Sequence, residues 1–354
     1  MKPKTARRLT VAAIIAAVLA TAIIRRRPSA PEYEITDLGS LKKYGCAHAI
    51  NNEGHVVGCT YRVVPGARPA AFIWSPENGR RSIPALEGKE SRAYDINDKG
   101  QVVGYFSEMD SKAPDRAFIW DEETGITELG TLGSDSQSHA VNNKGQVVGA
   151  SRTPDGQWHA FIWDKANGMR DLGTLGGKSS LALDINEKGQ VVGYSDMPDG
   201  KPHAFIWRQD TGMVDIGAPG GRASRARSIN NSGQVVGERA KKGGPRGFIW
   251  QVSAGMTDLD IKGQIRGGVR INDSGQAVAY YFTPKFLTFK ERHSVFLWDV
   301  NHGAAKLDLG LENVSSIGAL DINNRGQILL CYEKSGQNQV VILTPKDKSG
   351  PKGQ

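Results

Sequence analysis

The sequence predicts an all-β protein, a seven-bladed β-propeller of four-stranded antiparallel blades, and three observations predict it. First, a pattern of the type INxxGQVVG recurs with its asparagine at Asn51, Asn97, Asn142, Asn186, Asn230, Asn272 and Asn323, so successive copies lie 46, 45, 44, 44, 42 and 51 residues apart. A period in that range belongs to solenoids, propellers and arrays. Second, each copy is followed by AFIW or a variant ending at Trp74, Trp120, Trp163, Trp207, Trp250 and Trp298, with Val341-Ile342-Leu343 in the seventh place, and a DLG-type element closes the unit. Third, the ends are out of phase: the repeats begin with a lone fourth strand, Ile35 to Gly39, and finish with a seventh unit that has only three strands.

Each element has a local reason. Asn and Gly three positions apart, as in Asn97-Asp98-Lys99-Gly100, suit the first and last places of a type I turn. The flanking AYDI and QVVGY are short, β-branched and apolar, so each turn joins two strands. AFIW is a third strand, and a Gly-containing turn such as Asp164 to Gly168 leads into a fourth, MRDLG. Helical periodicity does not compete with these readings from Glu34 onward. Pairing residues 35–39 into the last blade would close the ring and hide two strand edges.

The third strand and the DLG element resemble the HAF family of extracellular repeats, named for a His-Ala-Phe triplet. The triplet is intact at His159-Ala160-Phe161 and His203-Ala204-Phe205, while other units carry Ala71-Phe72, Ala117-Phe118, Gly247-Phe248 and Val295-Phe296. The likeness spans almost all of residues 35–345 and implies a secreted or surface propeller; it implies no particular ligand.

The net charge of +8 invites a nucleic-acid reading, but its distribution excludes one. Residues 1–27 hold seven Lys/Arg and no acid, and the tail from Lys346 adds three Lys and one Asp, leaving 35 basic against 36 acidic residues in the repeats. A ring without net positive charge lacks the electrostatic footprint of nucleic-acid binding. The cations of the amino terminus flank an uncharged apolar run, Leu9 to Ile24, which reads as one hydrophobic helix serving as a signal peptide or membrane anchor. Poor cleavage sites favour an uncleaved anchor in the cytoplasmic membrane facing outward, with secretion as the alternative. The expected organisation is a signal or anchor over 1–27, a linker over 28–34, the propeller over 35–345 and a flexible tail over 346–354.

Candidate chemistry is sparse. Cys46, His48, His55 and Cys59 place two thiols and two imidazoles around the first turn, ligand types that suit zinc, although their spacing matches no zinc motif. A four-residue turn would place Cys46 opposite Cys59, within reach of a disulfide; a shorter turn with a bulge would not. Asp95, Asp184 and Asp321 share one position two residues before the turn asparagine, and His159, His203, Arg116 and Arg246 share the slot before the Ala/Gly-Phe pair. Repetition argues that these polar groups serve each blade's own scaffold. Nucleophile elbow, phosphate loop, dinucleotide fingerprint and HExxH are all missing from the sequence, so no cofactor is expected.

Symmetry breaks in units five and six. From Arg222 to Arg292 there are thirteen Lys/Arg against five Asp/Glu, and a lengthened loop carries Lys285, Phe286, Phe289 and Lys290. With Lys241 and Lys242 these residues are the candidate ligand contacts, since aromatics among cations suit a partner protein or an anionic glycan. The expected function is therefore binding or scaffolding by a monomer at the cell envelope, the alternative being a propeller-fold lyase or hydrolase with its site at the channel mouth.

Overall fold

The computed structural model describes residues 32–41, 45–61, 68–108, 113–217, 220–261, 263–283, 292–309 and 316–346. They form 28 strands in seven four-stranded antiparallel sheets, with a single 3-10 turn at Pro84–Leu86. The apolar run Leu9 to Ile24 lies outside the described residues, among which no helix is long and apolar enough to cross a membrane.

Blade three represents the rest. Its strands a to d are Ser136–Val141, Val147–Arg152, Trp158–Asp164 and Gly168–Asp171, paired in that order. The fourth strand therefore ends at the Asp of DLG, not after its Gly. Both valines of QVVG are fully buried because a blade is covered on both faces. Val147 packs with Val103 and Ala117 of blade two, and Val148 with Val191 and Phe205 of blade four. Each junction between neighbouring blades has an apolar cluster of this kind, including one that joins Leu329 and Ile342 of blade seven to Ile50 and Phe72 of blade one.

The strand Tyr33–Ser40 pairs with Gln337–Pro345 at the outer edge of blade seven, Ile35 opposite Leu343. It starts two residues earlier than the sequence pattern indicates.

The repeated turn has the expected form and an additional use. In blade three the Gly145 N–H donates to the Asn142 carbonyl at 3.0 Å, with Gly145 at φ +76°, a conformation that costs a glycine little. Asn142 Oδ1 accepts the N–H groups of Lys144 and Gln146. Its Nδ2 reaches the next blade and donates to the carbonyl of Asn186 at 3.1 Å. The same bond runs from Asn51 to Asn97, Asn97 to Asn142, Asn186 to Asn230, Asn230 to Asn272 and Asn272 to Asn323, and from Asn323 to Asn51. These seven asparagines are buried, where an unpaired amide would cost about 1–3 kcal/mol.

The glycine of QVVG has a separate role. A Cβ on Gly149 would collide with the Gln137 carbonyl oxygen, and one on Gly193 with that of Leu181. Strand a comes this close because it carries a β-bulge there, between Ser138 and Ala140 in blade three and between Ala182 and Asp184 in blade four.

Candidate functional site

Bulges re-aim side chains, and here they fill the central channel. The bulged residues His48, Tyr94, His139 and Leu183, with Asp95, Asp184, Asp321, Ser228 and Arg270, line an internal space of about 180 Å³. Most of these groups are already engaged with the neighbouring blade. Asp95 accepts the N–H of Ile96 in its own blade and of Val141 in blade three; Asp184 accepts Ile185 and then Ile229 of blade five; Asp321 accepts Ile322 and then Ile50 of blade one. The repeated aspartate is thus a clasp across blades as well as a partner within one, which corrects the reading of it as a group serving only its own blade. Histidines fasten the junctions between: Nδ1 of His48 donates to the Ala93 carbonyl at 2.7 Å and that of His139 to Ala182 at 2.8 Å. At the junction of blades five and six, Arg270 donates to the Arg227 carbonyl and the Ile271 N–H to Ser228 Oγ.

Burial shapes the titration of these groups. It raises Asp95 to about 7 and Asp321 to about 6, against the bound backbone N–H groups, and mutual repulsion among the carboxylates adds to the rise. Asp184 is raised as well, with the Arg270 guanidinium opposing. Burial lowers His48 and His139, against the hydrogen bond each makes to a carbonyl.

A second ring caps the channel mouth from the position after each turn asparagine: Asn52, Asp98, Asn143, Glu187, Asn231, Asp273 and Asn324. The side-chain oxygen of each accepts the backbone N–H of the previous member, all the way round. Amides and carboxylates alternate except where Asn324 meets Asn52, and the Asp98 and Asp273 carboxylates each accept two asparagine amides from the flanking blades.

The other sequence candidates disperse. Cys46 does lie opposite Cys59, yet both thiols are free and a bulge follows at once between Ala47 and Ala49. Burial pushes the Cys46 thiol up to about 12, with Cys331 and Cys59 contributing. His48 belongs to the channel, while His55 approaches Glu77 at 4.0 Å on the rim. The structure therefore divides this set of four, and among the described residues no group of three or more His, Cys, Asp or Glu is arranged to hold a metal. The slot before the Ala/Gly-Phe pair ties strand c to strand d or the segment after it: His159 bonds Asp171 at 2.8 Å, His203 bonds Asp215 at 2.9 Å, Arg116 pairs with Glu128 at 3.5 Å, and Arg246 donates to the carbonyls of Ile261 and Gly263.

In the basic sector, Lys285, Phe286, Phe289 and Lys290 lie outside the described residues. Lys241 and Lys242 line a cavity of about 330 Å³ with Arg246 and Tyr281. Part of the positive charge is neutralised internally, because Arg239 and Lys241 share Asp258 while Arg225 and Arg227 share Glu238.

A family model described as a protein of unknown function (DUF3466) matches residues 12–132 and 87–175; no comparison shows the repeat family that the His-Ala-Phe triplets resemble. No curated protein matches the chain in sequence. Among solved structures the chain is similar to the oligogalacturonate lyase of Vibrio parahaemolyticus, with a TM-score of 0.59 at 9% identity over 90% of this chain and 98% of the lyase. It is similar to puromycin hydrolase (TM-score 0.58, 12% identity), covering 89% of this chain and 55% of the hydrolase. The β-propeller domain of the Trilobed protease from Pyrococcus furiosus, described as having an open velcro topology, aligns with a TM-score of 0.52 and 13% identity over 75% of this chain and 84% of that one. The likeness is one of fold alone.

Proposed function

We propose that this chain is a non-catalytic binding or scaffold propeller of the cell envelope, akin to extracellular repeat proteins, held at the membrane by residues 1–27 and closed by the strand Tyr33–Ser40. One observation carries the reading: the aspartates and histidines that converge on the channel are bound to the backbones of their own and neighbouring blades. General acid–base chemistry requires groups that can reach substrate, and a space of about 180 Å³ is below the roughly 300–1,000 Å³ of ordinary ligand pockets. Recognition then falls to the rims. The cavity of Lys241 and Lys242 is the site for an anionic envelope protein or glycan, with Lys285, Phe286, Phe289 and Lys290 as the further contacts that the sequence suggests.

Replacing Lys241 and Lys242 with Gln is expected to weaken capture of an acidic glycan or envelope protein by about tenfold, with the change smaller at high salt as screening shortens the reach of exposed charge to about 8 Å or less. Stability should change by no more than about 0.5 kcal/mol per site, except for the ion pair that Lys241 forms with Asp258. Undiminished binding would remove these residues from the site. For the tether, fractionation should recover the full-length chain in membranes, open to protease from outside the cytoplasm; a soluble cytosolic chain would refute it.

The second reading is a lyase or hydrolase working in the channel. It is favoured by Tyr94, whose ring lies 4.9 Å from that of His48 and 5.8 Å from that of His139. Turnover of any substrate that Tyr94→Phe abolishes would replace the binding reading.

A further inference from the structure

On the rim opposite the Lys241 cavity, blades three and four part to leave a groove of about 930 Å³. It is walled by the turns that follow strands a and c, whereas the Lys241 cavity is walled by the other set of connections. Its walls carry Lys144, Arg170, Lys188 and Arg208 against the carboxylates of Asp164 and Asp210. Lys144, Lys188 and Arg208 make no ion pair among the described residues.

Arg208 marks the place as more than a generic gap between blades. In blades two, three and six the residue after the strand-c tryptophan is an aspartate that caps its own turn: Asp121 accepts the N–H groups of Glu123 and Thr124, Asp164 those of Ala166 and Asn167, and Asp299 those of Asn301 and His302, while blade five carries the uncharged Gln251. An arginine has no acceptor, so blade four gives up the cap and sets a cation in the groove instead. In blade three both Asp164 oxygens are occupied by Asn167, which holds the carboxylate in its charged form but leaves it less free to accept from a ligand.

The remaining lining narrows the ligand. Gln146 and Gln190 each have Oε1 occupied by a turn asparagine, at 2.8 Å in both cases, which leaves their amide NH2 groups to donate. Ile162, Met169 and Trp207 supply apolar surface, and the Arg170 guanidinium lies 5.0 Å over the Trp207 ring. The groove thus has more donors than free acceptors, the latter including the Asp210 carboxylate, and is partly apolar. A peptide brings N–H donors in equal number to its carbonyls and would leave many unmet. A sugar chain bearing acidic groups brings carboxylates for the cations, hydroxyl and ring oxygens for the amides, and C–H faces for the apolar surface. We propose that this groove binds an acidic oligosaccharide. Its cations are exposed or half-exposed, so the binding should be weak and sensitive to salt.

The test is calorimetric titration of the full chain with a uronic acid oligomer, a neutral oligosaccharide of equal length and a glutamate oligomer. The expected order is uronate well ahead of the other two, with Arg170→Gln/Arg208→Gln weakening uronate binding at least about tenfold. Repeating the titrations on the Lys241→Gln/Lys242→Gln chain removes any uronate held on the opposite rim, and the binding that remains, lost when Arg170→Gln/Arg208→Gln is added, separates this groove from that site. In the unsubstituted chain, saturating uronate should protect Lys144 and Lys188 from acylation, a readout that survives if the double variant folds poorly. Equal binding of the neutral sugar, preference for the peptide, indifference to both arginines, absence of protection or failure of every probe to bind would each overturn the proposal.

Discussion

A chain that starts after Leu41 is expected to lose cooperative unfolding and to aggregate at concentrations where the intact chain is monodisperse. The strand Tyr33–Ser40 makes its sheet contacts with Gln337–Pro345, and further bonds join Leu41 to Asn338 and Ser40 to Gln337. Tyr33 packs on the cluster between blades six and seven, and Leu38 and Leu41 on that between blades seven and one. Buried side chains contribute about 1.5–3 kcal/mol each and hydrogen bonds about 0.5–1.5. The loss is therefore on the order of 10 kcal/mol, comparable with the whole stability of an ordinary domain. It would also bare Val340 to Leu343, a buried apolar run that becomes an unpaired edge. Calorimetry and light scattering on the truncated chain decide the matter: an unchanged, reversible melt would mean that blade seven stands without this strand and that closure of the ring does not depend on it. Recovery of a cooperative melt on adding a peptide of residues 32–41 would tie the loss to the missing strand and not to the cut.

The repeat made the strands, their order and the number of blades readable from sequence, because each of these is a local consequence of turn chemistry and alternation. Features that cross between blades were not readable. Asn142 and Asp95 repeat, and repetition says that a residue serves the scaffold; it does not say whether a side chain turns toward its own blade or reaches a strand 44 to 46 residues away. The glycine of QVVG was the available signal for the bulge, since only a close backbone approach explains why valine, valine and then nothing larger than hydrogen recurs in five blades. A bulge at that point turns His48, Tyr94 and His139 toward the channel, and so parts His48 from His55 and the two thiols. Arg208 was visible as a departure from Asp121, Asp164 and Asp299. Its meaning depends on Lys144, Arg170 and Lys188 standing across the same groove, a juxtaposition that belongs to packing between blades.

The clasps should make the ring's stability respond to pH in two opposed ways that substitution can separate. Asp95 and Asp321 have pKa values raised from 3.8 to about 7 and about 6 by burial, and Asp184 is raised too. A folded value above the unfolded one means that the native ring holds those protons more tightly; this contribution is complete below the unfolded pKa and is lost as pH climbs through about 6 to 7. His48 and His139 are lowered from 6.5 by burial, so their contribution is present above that value and is lost as pH falls through their folded pKa values. A tenfold difference in proton affinity between the folded and unfolded chain corresponds to about 1.4 kcal/mol, enough for either set to move the melting temperature by several degrees. In the intact chain the two trends oppose each other between about pH 4 and pH 7, the span from the ordinary carboxylate value to the raised values of Asp95 and Asp321. His48→Gln/His139→Gln should therefore melt at progressively lower temperature as pH rises through that window, and Asp95→Asn/Asp321→Asn at progressively higher temperature. Arg270 and Tyr94 also face this space; burial raises the Tyr94 phenol further above its ordinary 10.0, so it does not titrate within the window. Identical slopes in the two variants would mean that the channel carboxylates and imidazoles do not hold the blades together through their protonation states, and the hydrogen bonds from the Val141 N–H to Asp95 and from His48 to the Ala93 carbonyl would have to be reassigned as bystanders to the asparagine ring.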